Sequence, residues 1–275
     1  MPGPLISPPE LKAAMNSGIV VIDCRWYLGE PTAGIAAYRT GHIPGAIYCS
    51  LDTDLAGPDG AGRHPLPRPQ EFSETMERFG VSRDTPVVAY DDRGGAVASR
   101  LWWMLTDQGH RMTHVLDGGL QAWTDAGFPL TTETSTPEAG TFAARAWAGT
   151  VNRDAVATRE PGVTVVDARS TERYIGAEEP MDPRAGHIPG AVSMPLTGNL
   201  DENLRFLPTQ QLRTRFVEAG IPEGSTVISQ CGSGVTACHT ILAMEIAGLG
   251  RPLLYVGSWS DWSTSGMPVA TGTVP

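Results

Sequence analysis

The sequence has few cysteines and fewer basic than acidic residues, and both shortages exclude classes of protein. Only four cysteines occur in 275 residues, and no two of them form a Cys-x-x-Cys pair. The cysteines are too few and too scattered for a disulfide scaffold. Because no Cys-x-x-Cys pair is present, a structural zinc site is not expected either, and we expect no metal and no cofactor. The net charge of −10 argues against sequence-independent binding of nucleic acid, which needs clustered Lys and Arg to neutralise phosphates.

Long hydrophobic runs are also missing. No apolar run approaches the roughly 18 residues that a membrane span requires. The first residues, Met-Pro-Gly-Pro, lack the basic flank and apolar stretch of a signal peptide. We therefore expect a cytoplasmic globular protein that does not bind membranes.

The two halves of the sequence repeat the same motifs in the same order. Val-Ile-Asp-Cys-Arg at residues 21–25 matches Val-Val-Asp-Ala-Arg at residues 165–169, and Gly-His-Ile-Pro-Gly-Ala occurs at residues 41–46 and 186–191. The copies lie about 144 and 145 residues apart, far beyond the period of about 20 to 50 residues found in solenoids. This repeat predicts two whole domains, which the length also allows.

Short β-branched runs alternate with helical patterns in each half. The predicted strands are residues 20–23, 46–49, 87–90 and 114–116 in the first half, and residues 163–167, 191–194, 226–229 and 253–255 in the second. Strands that alternate with helices of this length predict an α/β fold. We expect two tandem domains, each with a mainly parallel sheet flanked by helices.

One cysteine opens a glycine-rich run between a predicted strand and a predicted helix. Cys231 begins Cys-Gly-Ser-Gly-Val-Thr-Ala, whereas the first half has Asp91 at the matching place. The carboxyl end of a strand next to the amino end of a helix is where open parallel sheets bind ligands. A helix N-terminus also favours the thiolate, which is the nucleophilic form of cysteine. The sequence therefore predicts a nucleophile in the second copy alone.

The glycines of this run predict a binding site for an anion. They let the backbone turn so that successive N–H groups point at one spot, which forms an anion-binding nest. The predicted substrate-binding residues of the loop are Gly232, Gly234, Val235 and Thr236. The alternative is that Cys231 is a small buried hydrophobe, but Gly-Ser-Gly after a strand packs poorly in a core and binds anions well. A structural role is expected for the other cysteines, Cys24, Cys49 and Cys238.

The domain boundaries follow from composition. Residues 131–140 have turn and linker composition, without helical or strand periodicity. We predict an N-terminal domain at residues 1–130 that lacks a catalytic cysteine, a linker at residues 131–150, and a C-terminal catalytic domain at residues 151–275.

These motifs together resemble those of a known family. The tandem domains, the paired His-Ile-Pro-Gly-Ala segments, the chain following Trp123 and Trp262, and the Cys231 loop resemble the two-domain rhodanese family, specifically its 3-mercaptopyruvate sulfurtransferase branch. The resemblance implies a ping-pong reaction in which the cysteine takes a sulfane sulfur from a small-molecule donor, holds it as a persulfide and passes it to a thiophilic acceptor. Cyanide, a small thiol, a thioredoxin-like reductant and a biosynthetic protein all remain open as acceptors.

The resemblance also assigns roles to two arginines. Arg173 matches the arginine that faces the persulfide and binds the anionic group of the donor, a task suited to a planar and permanently charged fork. Arg184 matches a second substrate arginine. For each of them the alternative is a solvated surface arginine.

A proton relay is implied as well. The hydroxyl two residues after the cysteine is Ser233, the matching imidazole is His64, and the matching carboxylate is Asp52. In the other interpretation, His64 is an ordinary surface residue of a proline-rich loop. His42 and His187 occur in both copies, although only one copy has the cysteine, and we expect them to be packing residues.

The residues after the cysteine bear on the choice of donor. Family members specific for thiosulfate usually have basic residues there, whereas this chain has Gly232 and Ser233. The loop thus favours 3-mercaptopyruvate, with a mainly thiosulfate:cyanide sulfurtransferase as the alternative. A cysteine phosphatase is disfavoured because Ala237 stands where that class needs Arg. The remaining alternative from another class is a non-enzymatic persulfide carrier or binding module.

Overall fold

The computed structural model describes residues 3–274, which form two compact units. The first unit comprises the described residues through Gly57, Pro67–Ala148 and Glu202–Phe206, and the second comprises Pro58–Leu66, Gly149–Asp201 and the described residues from Leu207 onward. Residues 58–66 therefore belong to the second unit although they come from the first half of the sequence. No helix within residues 3–274 is long and apolar enough to cross a membrane.

The first unit is built on a five-stranded parallel sheet with the order β1-β5-β4-β2-β3. Its strands are β1 Leu5–Ile6, β2 Val20–Asp23, β3 Ile47–Tyr48, β4 Val87–Tyr90 and β5 Thr113–Leu116. Its helices are α1 Pro8–Ala14, α2 Ala33–Thr40, α3 Leu51–Asp54, α4 Pro69–Arg78, α5 Ala98–Asp107 and α6 Gly119–Asp125. Strand β4 is buried along its whole length, as expected for a central strand covered on both faces.

The second unit repeats this architecture, with the strand order β6-β10-β9-β7-β8 and all pairs parallel. Its strands are β6 Thr150–Val151, β7 Thr164–Asp167, β8 Ala191–Ser193, β9 Val227–Gln230 and β10 Leu253–Tyr255. Its helices are α7 Arg153–Ala157, α8 Thr171–Ile175, a 3₁₀ helix at Leu196–Asn199, α9 Thr209–Glu218, α10 Ala237–Ile246 and α11 Ser258–Trp262. The predicted α/β fold of two tandem domains with parallel sheets is confirmed.

Helix α10 packs inside the second unit rather than on its surface. Its sequence, Ala-Cys-His-Thr-Ile-Leu-Ala-Met-Glu-Ile, is apolar around most of its circumference, and every residue from Ala237 through Met244 is buried. A helix that is hydrophobic on all sides is stable only when it is covered on all sides. The amino end of α10, which follows the Cys231 loop, is therefore fixed by the core.

A buried ion pair occurs at the same place in both units. In the second unit, the Asp167 carboxylate accepts hydrogen bonds from Arg169 Nε at 3.0 Å and Nη2 at 2.6 Å, and Arg169 Nη2 also donates to Gly186 O at 2.7 Å. The first unit repeats the pair with Asp23 and Arg25. This pair ties the end of a central strand to the Gly-His-Ile-Pro-Gly segment, which explains why both motifs recur together.

The duplicated histidines are packing residues in both units. His42 stacks on Tyr38 and His187 on Tyr174, each with ring centroids 3.8 Å apart. In each case Nδ1 lies 2.8 Å from the carbonyl oxygen of the same tyrosine. Both histidines are fully buried, as expected for residues that stabilise the fold and take no part in catalysis.

The segment predicted as a linker, residues 131–150, packs on the first unit through Ala148. Phe142 lies edge-on to Phe72, with centroids 6.0 Å apart. The Gln108 side chain forms two hydrogen bonds with the backbone of Arg145. Its Oε1 accepts from the Arg145 N–H at 2.6 Å, and its Nε2 donates to the Arg145 carbonyl at 2.7 Å. These contacts fix a segment whose polar composition by itself indicates a flexible connection.

Candidate active site

The predicted nucleophile lies at the carboxyl edge of the second sheet. Cys231 directly follows β9, which pairs with β7 on one side and β10 on the other, and it precedes α10. Its side chain is 1% exposed. The central position of β9 therefore places the sulfur where the carboxyl ends of parallel strands converge, as in other open parallel sheets.

The backbone of the cysteine loop is held by the segment that follows β10. The N–H of Cys231 donates to Ser258 Oγ at 3.1 Å, and the Cys231 carbonyl accepts from the N–H of Trp259 at 2.9 Å. One residue further along, the Gly232 carbonyl accepts from the N–H of Ser260 at 2.9 Å. Ser258 has φ = +51°, a left-handed conformation that is costly for a residue with a side chain. This fixed backbone preorganises the loop.

Gly234 is required by two independent features of the loop. Its φ is +76°, in the left-handed region, and a Cβ at this position would lie 2.4 Å from the carbonyl oxygen of Val256. Backbone strain and steric contact thus both exclude a side chain. The loop approaches Val256 more closely than any residue other than glycine allows.

Gly232 lies beneath two guanidinium groups. An ideal Cβ on Gly232 would be 3.0 Å from Arg63 Nη2 and 3.2 Å from Arg173 Nη1. Two cations therefore converge next to the residue that follows the nucleophile. The resemblance predicts Arg173, whereas Arg63 has no signal in the sequence other than its position next to His64.

The matching loop of the first unit shows how this type of loop holds an anion. The Asp91 carboxylate accepts hydrogen bonds from the backbone N–H groups of Arg93, Gly95, Val97 and Ala98, at 2.8 to 2.9 Å. Burial raises the pKa of Asp91, and the four hydrogen bonds oppose that shift. A nest of N–H groups at this place in the fold therefore surrounds the side chain that corresponds to Cys231.

Two members of the predicted relay are in contact. His64 Nδ1 lies 2.8 Å from Ser233 Oγ, although the residues are 169 positions apart in the sequence. Both residues belong to the second unit, since residues 58–66 are part of it. The Ser233 hydroxyl, two residues after Cys231 in the sequence, therefore lies within hydrogen-bonding distance of the imidazole, as proton transfer between these two groups requires.

The third predicted member, Asp52, belongs to the first unit. It lies in α3, and its Oδ2 accepts a hydrogen bond from Trp26 Nε1 at 2.9 Å. Participation of Asp52 in a relay with His64 stays a prediction.

Arg173 lies in α8 and contacts two carboxylates. Its Nη2 is 2.7 Å from Glu179 Oε1 and 3.1 Å from Asp182 Oδ2. Asp182 also forms an ion pair with Arg63 Nη1. The carboxylate of Asp182 therefore bridges the two arginines that converge at Gly232.

Arg184 makes a different set of contacts. Its guanidinium donates to carbonyl oxygens at and after the end of α11, namely Ser263 O at 2.7 Å, Trp262 O at 2.8 Å, Met267 O at 2.9 Å and Ser265 O at 2.5 Å. Cationic donors at the end of a helix satisfy carbonyls that have no partner within the helix. These contacts favour a structural role and differ from the substrate role that the resemblance assigns to Arg184.

The remaining loop residues begin helix α10. The Val235 carbonyl accepts from the N–H of Cys238 at 3.1 Å, and the Thr236 carbonyl accepts from the N–H of His239 at 3.2 Å. Val235 is buried, whereas Thr236 is partly exposed. A direct substrate contact by either residue stays a prediction.

The other cysteines are buried, as Cys231 is. Cys24, Cys49 and Cys238 are fully buried. Burial raises the pKa of Cys24, and it raises that of Cys49 well above the usual thiol value. A neutral buried thiol is a poor nucleophile, in agreement with the structural role predicted for Cys24 and Cys49.

Comparison with known proteins gives the same architecture along the whole chain. The rhodanese-like domain family matches residues 7–126 and 153–265. A probable 3-mercaptopyruvate sulfurtransferase of Pseudomonas aeruginosa is 42% identical over 98% of both chains, and a putative thiosulfate sulfurtransferase, SseB of Mycobacterium tuberculosis, is 39% identical over 98% of this chain and 97% of its own. The crystal structure of SseA from Escherichia coli superposes with a TM-score of 0.84 at 30% identity, covering 94% of this chain and 99% of that one. With two matched domains and relatives of this similarity along its full length, the chain belongs to the rhodanese family and is an enzyme, a sulfurtransferase that moves sulfur from a small-molecule donor to an acceptor.

Proposed function

We propose that this sulfurtransferase takes its sulfur from 3-mercaptopyruvate and carries it as a persulfide on Cys231. The observation that carries the proposal is the arrangement around Cys231, with a Ser233–His64 pair and two guanidinium groups beside a loop that contains no cation of its own. A carboxylate donor matches the guanidinium groups, and a donor that needs a proton on its leaving group matches the Ser–His pair.

In the first half-reaction, the Cys231 thiolate attacks the sulfur of 3-mercaptopyruvate. The new S–S bond forms as the C–S bond breaks, and its electron pair leaves on carbon as the enolate of pyruvate. The enolate takes up one proton, which balances the proton lost from the donor thiol. The products are pyruvate and the Cys231 persulfide anion.

Ser233 and His64 supply the proton path for this step. The Ser233 hydroxyl is two residues from the nucleophile and 2.8 Å from His64 Nδ1, so a proton can pass from the imidazole through the hydroxyl to the enolate. Asp52 is proposed to orient the imidazole. Thiosulfate makes no such demand, because its leaving group is sulfite, a weak base.

Arg173 holds the carboxylate of the donor. Its fork lies over Gly232, and Arg–carboxylate hydrogen bonds are stronger than neutral ones and fix orientation. In the second half-reaction, a thiophilic acceptor attacks the outer sulfur of the persulfide and regenerates the Cys231 thiolate. Cyanide, a small thiol and a thioredoxin-like reductant are the proposed acceptors.

Thiosulfate is the second candidate donor. One relative, at 42% identity, is named for 3-mercaptopyruvate, and another, at 39% identity, is named for thiosulfate. Two guanidinium groups at Gly232 also suit a sulfonate. The Gly-Ser-Gly sequence favours the keto acid, because it lacks a cation directly after the nucleophile.

A side-by-side kinetic comparison of the two donors tests the proposal. We expect a higher kcat/KM for 3-mercaptopyruvate, with pyruvate and sulfite measured as the respective products. After treatment with donor alone, mass spectrometry should show one added sulfur, about 32 Da, on the peptide of Cys231. The Cys231→Ser variant should fold normally, gain no mass and transfer no sulfur. A higher kcat/KM for thiosulfate would refute the choice of donor, and added mass on Cys24, Cys49 or Cys238 would refute the nucleophile.

A further inference from the structure

Arg63 is fixed next to the cysteine loop by its own backbone. Its N–H donates to Ser260 Oγ at 3.0 Å, and the N–H of Ser260 in turn donates to the Gly232 carbonyl. The preceding Gly62 has φ = +83°, and a Cβ there would lie 2.5 Å from the Gly257 carbonyl oxygen. Because the backbones of Gly62 and Gly257 approach so closely, the side chain of the next residue, Arg63, lies at the active-site loop.

The guanidinium of Arg63 is directed at the same point as that of Arg173. Their terminal nitrogens lie 3.0 and 3.2 Å from the position that a Cβ of Gly232 would occupy. Arg184, by contrast, uses its three nitrogens for carbonyls at and after the end of α11. Arg63 and not Arg184 therefore complements Arg173 at the nucleophile.

The carboxylate of Asp182 already pairs with both of these arginines. Asp182 bonds Arg63 through one oxygen and Arg173 through the other, and its side chain is 3% exposed. Glu179 supplies a second negative charge to Arg173. The charges of the cluster are balanced in this state, so the carboxylate of a donor can be bound at full strength only if it replaces Asp182 on the arginines.

We propose that Arg63 is a second donor-binding arginine, and that Asp182 is an internal competitor which a donor carboxylate displaces from Arg63 and Arg173. The inference rests on the proposed function, because it concerns the donor subsite of Cys231. It makes Arg63 a determinant of specificity for anionic donors. It makes Asp182 a positioning residue, which holds the two guanidinium groups next to Gly232 before a donor arrives and weakens donor binding by competition.

Alkylation of Cys231 tests this cation pair without sulfur transfer. Iodoacetate carries a carboxylate close to its reactive carbon, whereas iodoacetamide is its neutral analogue, so the ratio of their rates reports an anion site beside the thiolate. We expect Arg63→Gln to lower the rate with iodoacetate about tenfold, the loss of one charge-assisted hydrogen bond, and to leave iodoacetamide within about twofold. Arg251→Gln is the matched control, since Arg251 belongs to the same unit and pairs with Glu245.

The Asp182→Asn variant tests whether Asp182 competes with the donor or only holds the two arginines in place. Asn keeps the size and an acceptor oxygen but removes the charge, so we expect faster reaction with iodoacetate and a lower KM for 3-mercaptopyruvate, whereas Arg63→Gln raises that KM with little change in kcat. Slower alkylation by iodoacetate in Asp182→Asn would overturn the competitor role. Identical behaviour of Arg63→Gln and Arg251→Gln with both reagents would overturn the role of Arg63.

Failure of the proposed role of Arg63 can be distinguished from failure of the proposed donor. If 3-mercaptopyruvate is a poor substrate of the unmodified enzyme but the iodoacetate rate still falls in Arg63→Gln, the proposed donor is wrong and the anion site stands. If 3-mercaptopyruvate is a good substrate and Arg63→Gln changes neither its KM nor the alkylation ratio, the donor stands and the role of Arg63 is wrong. Identification of the carboxymethylated peptide confirms that Cys231 is the residue measured.

Discussion

Substitution of Gly234 by alanine tests whether the geometry of the cysteine loop controls the chemistry. At φ = +76°, a residue with a Cβ costs about 1 to 2 kcal/mol in backbone strain. The added Cβ would also lie 2.4 Å from the carbonyl oxygen of Val256, where ordinary contact begins at 3.4 Å. Because the obstacle is backbone, the loop must move by about 1 Å, at a further cost of about 1 to 3 kcal/mol.

Gly220 provides a control that separates these two costs. It has φ = +82° and no atom within 4 Å of an added Cβ, so Gly220→Ala carries the strain without the steric contact. We expect Gly220→Ala to lose about 1 to 2 kcal/mol of unfolding free energy and to keep its activity. For Gly234→Ala we expect the larger loss and a decrease of about a hundredfold in the rate of persulfide formation, since a misplacement of 1 Å at a reacting group has that effect.

Urea unfolding followed by circular dichroism measures the first quantity, and single-turnover release of pyruvate measures the second. The reasoning is refuted if Gly234→Ala and Gly220→Ala unfold at the same urea concentration and form persulfide at the same rate. In that case the loop adapts to a side chain, and its approach to Val256 is not what positions Cys231.

The relay and Arg173 give two further predictions. Ser233→Ala and His64→Ala should each slow 3-mercaptopyruvate turnover by about a hundredfold and thiosulfate turnover much less, because sulfite departs without a proton. Ser225→Ala is the control, since the Ser225 hydroxyl donates to the nearby Pro222 carbonyl. Equal losses with both donors would contradict the relay. Arg173→Lys keeps the charge but loses the fork, so donor kcat/KM should fall about tenfold, and a change within twofold would contradict donor binding by Arg173.

The central strands could be predicted, and Cys231 could be selected as the candidate nucleophile, because both signals are local. Strand β4 is observed at the predicted residues 87–90, and its run of apolar residues is typical of a strand buried on both faces. Cys231 could be selected because strand, glycine loop and helix follow each other directly in the sequence. The edge strands β1 and β6 were not predicted, because each has two residues and so short a segment shows no periodicity.

The cation pair at Gly232 could not be predicted, because its members are brought together by tertiary structure alone. The backbone hydrogen bond that anchors Arg63 spans 197 residues, and no pattern around Arg63 indicates its partner. Arg184 is the opposite case, since the sequence draws attention to the residue but does not predict its contacts. Its place shortly before the Gly-His-Ile-Pro-Gly segment resembles that of a substrate arginine in the family, but its contacts with carbonyls at and after the end of α11 depend on a helix about 80 residues further along the chain.

The two loops of the duplicated fold show that the nest alone does not make an active site. In the first unit, four N–H groups hold Asp91, whose carboxylate cannot accept sulfur. The next residue is Asp92, which accepts a hydrogen bond from the Tyr27 hydroxyl at 2.5 Å, whereas the residue after Cys231 is Gly232, beneath Arg63 and Arg173. An anionic donor would therefore meet a carboxylate at one loop and, at the other, two cations that are paired with Asp182. In the proposed function, sulfur transfer in the second unit thus depends on the charge beside the loop as well as on Cys231 within it.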